Sequence, residues 1–220
     1  LQLAGRKVGL ACRDGLYLGT RRVDERNATD GQFSERLLLN PDVDAAVFEN
    51  GAATILDTGL VYDRCHIGIV TDLDGTEGLE RHDISDTDQM PRVLRTQVDV
   101  VLDEGCAVLH AADPRIAGLA ELCDGEVLLY ARDGTLAAIE AQRAQGRRAV
   151  FARGDTLVLA RGGEETLLDE LARHATRFGA EGCEPLLAAV AVAWVMDMSP
   201  DLIAAGLETF EPEPEPARER

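Results

Sequence analysis

Lysine is nearly missing from this sequence: Lys7 is the only one in 220 residues, so almost all the positive charge is arginine. Mechanisms that need an amine beyond residue 7, such as a Schiff base or a lysine that screens a transferring phosphoryl group, are thereby excluded. Aromatic residues reach only 4%, and the single tryptophan, Trp194, sits among alanines and valines at helical spacing, where it reads as core and not as a binding platform. The cysteines are Cys12, Cys65, Cys106, Cys123 and Cys183. Their odd number and wide spacing give neither a C-x-x-C pair nor a disulfide framework, so they read as reduced, mostly buried thiols of a cytoplasmic protein. No apolar run approaches the roughly 20 residues that cross a bilayer, and no signal-peptide pattern opens the chain. Basic charge is outweighed, with 22 Lys and Arg against 40 Asp and Glu and a formal charge of −18. Attraction to nucleic-acid phosphates or anionic lipid is therefore disfavoured, and neither a nucleic acid nor a membrane is expected as partner. The basic stretch from Arg143 to Arg153 is interrupted by apolar residues and reads as a solvated helix end.

What is present suits a folded domain: 45% of the residues are apolar and 28% charged. Residues 1–210 read as one α/β domain and "EPEPEPARER" at 211–220 as an extended, disordered Pro/Glu tail. The chain begins at Leu1 in what reads as the last turns of a helix closing at Gly5, the pattern of a fragment with sequence before it. Short apolar runs at Val8–Ala11, Gly15–Leu18, Ala45–Phe48, "CHIGIVTD", "CAVLHA" and "EVLLYA" predict strands. Those at 45–48 and in "CHIGIVTD" are uninterrupted enough to be buried. Between them, "SERLLL", "DTDQMPRVLRTQVDVVLDEG", "DPRIAGLAELC" and "TLAAIEAQRAQG" predict helices, the second running to Gly105. "RAVFARGDTLVLARG" carries a hairpin signal at Gly154-Asp155, and two helices follow, one ending near Met198 and one starting after a Ser199 cap with Pro200 at its first position. Such alternation implies a largely parallel sheet flanked by helices with a helical close, and candidate sites at the carboxyl ends of strands. Glu49, Asp72, Asp74 and His110 fall there, while His66 reads as a partly buried polar residue.

The sharpest local motif is "TDLDGTE" at 71–77. An Asp-x-Asp-Gly-Thr at a strand end resembles the first motif of haloacid-dehalogenase-like phosphatases, in which case Asp72 would be the nucleophile and Asp74 the proton donor. That family's downstream lysine has no counterpart here.

A second resemblance covers most of residues 5–210. "NPDVDAAVFENGAATILDTGLVYDRCHIGIVTDLDG", "GCAVLHAADPRIAGLAELCDGEVLLYA" and "LLAAVAVAWVMDMSPDLIAAGLETF" resemble the Mur-ligase-like central domain of cyanophycin synthetases, a fold related to the P-loop NTPases. The resemblance implies an ATP-dependent amide ligase: ATP phosphorylates a carboxylate, Mg²⁺ steadies the phosphates, and an amine captures the acyl phosphate. It further implies arginine added to aspartate side chains, an ATP-grasp domain of the same polypeptide as partner, a homo-oligomer, and a phosphate loop upstream of Leu1.

On that alignment the fold-bearing apolar, Gly and Pro positions agree and many polar ones do not. Glu49 matches the family's Mg²⁺-holding acid. Asp72 replaces an asparagine, Glu77 stands at an aspartate position and Gly78 at a histidine position, so Glu77 is a metal candidate and Asp72 a nucleotide candidate. Leu94 replaces a lysine whose carbamate bridges metal. His110 replaces an asparagine and Asp113 keeps an aspartate, both candidates for nucleotide binding, while Glu184 stands where an asparagine is usual. Ala52-Ala53-Thr54 replace an arginine and paired glycines. This split predicts a catalytically degenerate module with a structural or oligomerisation role.

Overall fold

A computed structural model of the chain describes residues 1–170 and 183–210, without the side chains of 169 and 170. They form two compact units. Leu1–Ala107 with Gly118–Glu126 make the first; Val108–Ala117 with the described residues from Val127 onward make the second. The expected tail at 211–220 lies outside the described residues.

The first unit opens on a single 3-10 turn, Gln2–Ala4, closed by Gly5 at φ 75°, a left-handed ending that costs glycine nothing. Strands β1 (Val8–Cys12) and β2 (Gly15–Leu18) form an antiparallel hairpin with Cys12 opposite Gly15. The next strand, β3 (Arg21–Asp24), gives no apolar alternation and was not anticipated; it pairs antiparallel with β2. Helix α1 (Gly31–Leu38), capped by the Asp30 carboxylate accepting from the Gln32 N–H, leads to β4 (Ala45–Phe48). That strand runs parallel to β1, giving the order β3-β2-β1-β4. Ala11, Leu16, Ala28 and Leu37 are the core of this sheet, with Phe33, Val43 and Phe48 against it.

Helix α2 (Ala52–Asp57) and strand β5 (Cys65–Val70) follow. The long helix expected up to Gly105 is instead α3 (Met90–Leu94) and α4 (Thr96–Asp99), and β6 (Val101–His110) begins directly after Val100, so Gly105 lies inside a strand. Two local causes override the helical spacing. Val101 is β-branched and favours extended backbone, and a Cβ on Gly105 would stand 2.5 Å from the His66 carbonyl oxygen. This glycine allows close backbone approach and does not stop a helix. β4 and β5 also depart from expectation, being half-exposed and not buried: Ala46, Val47 and His66 are open to solvent.

In the second unit the end of β6, β7 (Glu126–Asp133), β8 (Arg148–Arg153), β9 (Thr156–Arg161) and β10 (Glu164–Glu170) lie side by side in that order; in the first, β5 neighbours β6. β7 and β8 are parallel, joined through helix α6 (Ala137–Ala144), and α5 (Pro114–Gly118) lies between β6 and β7 in the chain. Helical crossovers of this kind are what parallel neighbours require. The hairpin at Gly154-Asp155 forms as expected, β8 against β9, with Gly154 at φ 59°. β10 adds a further antiparallel strand that the charged run 164–165 concealed. The α/β class with a largely parallel sheet flanked by helices is thus the observed one.

Helices α7 (Cys183–Val195) and α8 (Pro200–Thr209) close the described chain, α7 on β8 and α8 on α7 and β10. α7 buries Leu186, Leu187, Val190 and Ala191 and stops before the expected Met198, where Asp197 takes φ 58°. Ser199 then caps α8, its Oγ accepting from the Leu202 N–H at 3.3 Å. Ser199→Ala should therefore cost about 1 kcal/mol and lower the thermal midpoint by a few degrees in a melting experiment. Trp194 is half-buried and not core; the Arg148 guanidinium lies 5.4 Å over its ring and donates to its carbonyl at 3.2 Å. All five cysteines are free, but only Cys106 and Cys183 are buried.

Candidate functional site

The candidate residues fall in both units. In the first, β4 delivers Glu49 to an exposed position directly after Phe48. Its Oε2 accepts from the Arg13 backbone N–H at 2.7 Å and its Oε1 faces the Arg13 guanidinium at 3.4 Å. The carboxylate therefore ties the β4 end to the β1–β2 turn. Asn50 beside it turns inward: its Nδ2 donates to the Tyr62 hydroxyl at 2.9 Å and to Gln97 Oε1 at 2.8 Å. Gln97 Nε2 in turn donates to the Ile69 carbonyl at 3.5 Å. Tyr62 stacks on Phe48 at 5.7 Å, and its burial pushes the phenol above its ordinary range.

Asp72 and Asp74 lie just past β5, both exposed, with Leu73 between them buried as an anchor. Asp72 satisfies its own loop: Oδ2 accepts from the Thr71 hydroxyl at 2.7 Å and Oδ1 from the Asp74 N–H at 3.1 Å. This is a side-chain turn in which the carboxylate replaces a backbone acceptor. Glu77 is exposed, and Gly78 after it sits at φ 77° with open space around it, a conformation that histidine, its counterpart in the resemblance, adopts only with strain. Leu79 then buries fully. His82 stands elsewhere, its Nε2 2.7 Å from Asp57 Oδ1, with Arg81 also bonded to Asp57. Leu94, at the position of the metal-bridging lysine, is 8% exposed and shares α3 with buried Met90 and Val93.

In the second unit His110 ends β6 stacked on Tyr130, with ring centroids 5.1 Å apart, and its Nε2 lies 3.7 Å from Glu184 Oε2 at the start of α7. Two positions that are asparagines in the resemblance are thus neighbours in space. Asp113 is taken up by α5: it accepts from the Arg115 N–H at 2.8 Å and from that guanidinium at 3.1 and 2.7 Å. Those Arg115 bonds hold its carboxyl below the usual range.

Glu49, Asp72 and Glu77 each keep local partners or solvent. Among the described residues no group of three His, Cys, Asp or Glu side chains is gathered to hold a metal ion. Mg²⁺ wants an octahedron of oxygens, and the residues here do not fit it: Glu49 is held by Arg13, and the lysine position is aliphatic. Arg13, Arg115 and the Asn50–Gln97 relay escaped sequence reading. Arg115 could have been found directly after the Asp113-Pro114 pair; Gln97 carried no signal, because its partners are 28 and 47 residues away. Among the described residues, no helix is long and apolar enough to cross a membrane.

No protein-family model matches the chain. It is 33% identical over 215 residues to cyanophycin synthetase of Crocosphaera subtropica and 30% identical over 215 residues to that of Geminocystis herdmanii, in each case over 94% of this chain. The chain spans 24% of the length of both relatives. Among solved structures it is similar to a UDP-N-acetylmuramoyl-L-alanyl-D-glutamate–2,6-diaminopimelate ligase, with TM-score 0.72, 11% identity, and coverage of 97% of this chain and 42% of that one. It is also similar to MurF from Acinetobacter baumannii, with TM-score 0.58, 15% identity, and coverage of 95% and 41%. A pseudomurein peptide ligase type C from Methanothermus fervidus gives TM-score 0.54 at 15% identity, covering 97% and 46%. The fold is that of the Mur ligases, and the sequence is similar to cyanophycin synthetases along nearly its whole length.

Proposed function

We propose that this chain is the Mur-ligase-like module of a larger ATP-dependent, peptide-forming ligase of the cyanophycin synthetase kind, and that the module has lost its own catalytic set. Its role is then structural, as a scaffold or oligomerisation element for an ATP-grasp domain of the same polypeptide. Similarity to cyanophycin synthetases over 94% of the chain supports the first part. The observation that carries the second is Leu94, buried in the core where an amine would be needed. The Gly78 backbone and the Arg13 clamp on Glu49 point the same way.

One feature favours the other reading, a working ligase that adds arginine to aspartate side chains: Glu49 is retained and accessible at its strand end. Both readings meet in one assay, ATP- and Mg²⁺-dependent incorporation of aspartate and arginine by the complete polypeptide. Glu49→Ala should leave both rates within about twofold of the parent, since the carboxylate would touch no reacting group. Arginine incorporation abolished by Glu49→Ala but retained when the ATP-grasp domain is inactivated would refute the degenerate reading.

A further inference from the structure

Asn50-Gly51 is the one Asn-Gly pair in the sequence; Asn27 precedes an alanine and Asn40 a proline. Such a pair is chemically fragile, because glycine has no Cβ to keep its amide nitrogen away from the side-chain carbon of the preceding residue. That nitrogen attacks the asparagine Cγ, the Cγ–Nδ2 bond breaks, and a cyclic succinimide forms. The proton lost by the glycine nitrogen leaves with the ammonia. Water then opens the ring at either carbonyl, giving aspartate, or isoaspartate with an extra methylene in the main chain. Gly51 is placed for the attack: it stands immediately before α2, with φ −70° and ψ 146°, where N–H groups have no partner within the helix.

The Asn50 side chain is held, and held in one orientation. Its Nδ2 donates to the Tyr62 hydroxyl at 2.9 Å and to Gln97 Oε1 at 2.8 Å. Gln97 cannot turn its own amide over, because its Nε2 donates to the Ile69 carbonyl at 3.5 Å and a carbonyl only accepts. Gln97 therefore presents oxygen to residue 50, which must supply a donor. Asparagine does so, and the carboxylate of aspartate or isoaspartate does not. The Tyr62 hydroxyl is able to reverse its proton and donate to a carboxylate, so it is the Gln97 bond that turns from attraction into repulsion. With its amide anchored at two points, Asn50 does not swing its Cγ freely onto the Gly51 nitrogen. On the other side the main chain is fixed at Glu49, whose N–H donates to the Ala11 carbonyl at 2.9 Å.

We propose that Asn50 is a deamidation site that its bonds to Tyr62 and Gln97 hold in check, and that its conversion dismantles the relay joining the end of β4 to β5. The product sets a second negative charge directly after Glu49, at a strand end where Arg13 already holds one carboxylate. Isoaspartate also lengthens the main chain between Glu49 and α2. The site is a clock that starts when the contacts to residues 62 and 97 loosen, and the protein's own chemistry does not run it backwards. It stands apart from the ligase reading, since it requires neither ATP nor an active centre.

Peptide mapping of the complete polypeptide by mass spectrometry follows the reaction during incubation at mildly alkaline pH. Trypsin releases residues 37–64, in which Asn40 is protected by a proline without an N–H, so a gain of about 1 Da reports Asn50 alone. Conversion in the folded protein should be at least about tenfold slower than in urea, and Gln97→Ala should speed the folded reaction at least about fivefold while leaving the rate in urea unchanged. Tyr62→Phe is the gentler variant: it keeps the ring stacked on Phe48 and removes only the hydroxyl, so it should speed the folded reaction even where Gln97→Ala fails to fold. Gly51→Ala should slow conversion in both states. A folded rate equal to the rate in urea overturns the proposal, as does a folded rate that both relay variants leave unchanged, or a Gly51→Ala chain that converts as fast as the parent. Asn50→Asp, introduced directly, should raise hydrogen exchange in peptides covering 65–70 and 96–99 at neutral pH. Exchange unchanged from the parent would show that the product leaves the relay intact, and the second half of the proposal would fall.

Discussion

Leu94→Lys should destabilise the protein by on the order of 3 kcal/mol. The substitution restores the residue that cyanophycin synthetases carry in the resemblance, yet it sets an ammonium in a position 8% exposed on α3, beside Met90 and Val93. An unpaired buried cation loses its hydration without an anion in return, and its proton affinity falls. The pH dependence follows from that sign. The folded variant would bind fewer protons than the unfolded one, so its stability would rise with pH, the deficit being largest at neutral pH and shrinking toward the ordinary lysine pKa near 10.4. Urea unfolding of parent and variant at pH 7 and pH 10 measures it. A variant as stable as the parent at pH 7 would mean that the position admits an amine, and the main support for a degenerate module would be gone.

Gly68→Ala should cost about 3 kcal/mol, at the upper end of what one added methyl does in a packed core. The Cβ would fall far inside contact distance of the Gln97 backbone oxygen and 2.8 Å from Val101 Cγ2. Gln97 has little room to yield, since its side chain is held by Asn50 and by the Ile69 carbonyl. Gly59→Ala is the matched control: that glycine has φ 77° and nothing within 4 Å, so only backbone strain of about 1 kcal/mol applies. Equal chemical-denaturation midpoints for the two variants would show that α4 gives way and that the approach of β5 to α4 is not tight.

Gly68 and Gly59 also show where sequence reading stops. Both are glycines near apolar runs, and nothing in the sequence separates the one that admits a backbone from the one that turns. The same limit accounts for the helix expected in the stretch 86–105: Val93, Leu94, Val98 and Val101 satisfy a helical spacing, but two helices and a strand meet the same pattern once Gly105 must lie against His66. β3 and β10 went unseen because their residues are charged for the sake of an edge, and a charged edge erases the apolar alternation by which strands are found.

Local chemistry was legible wherever partners lie within a few residues. The Ser199 cap with Pro200, the Gly5 ending and the Gly154 hairpin are short-range geometry that side-chain type dictates on its own, and strand–helix alternation carried the α/β class in the same way. At the candidate site the sequence determined the residue types: an acid at 49, a leucine at 94, a glycine at 78. Only the tertiary structure decided what those residues do. Glu49 meets Arg13 across 36 residues, His110 meets Glu184 across two elements, and Leu94 turns into the core. The physical reason is range: a carboxylate's partner, unlike a helix cap, is whatever charge or donor the packed chain brings within about 3 Å, and chain connectivity alone does not specify it.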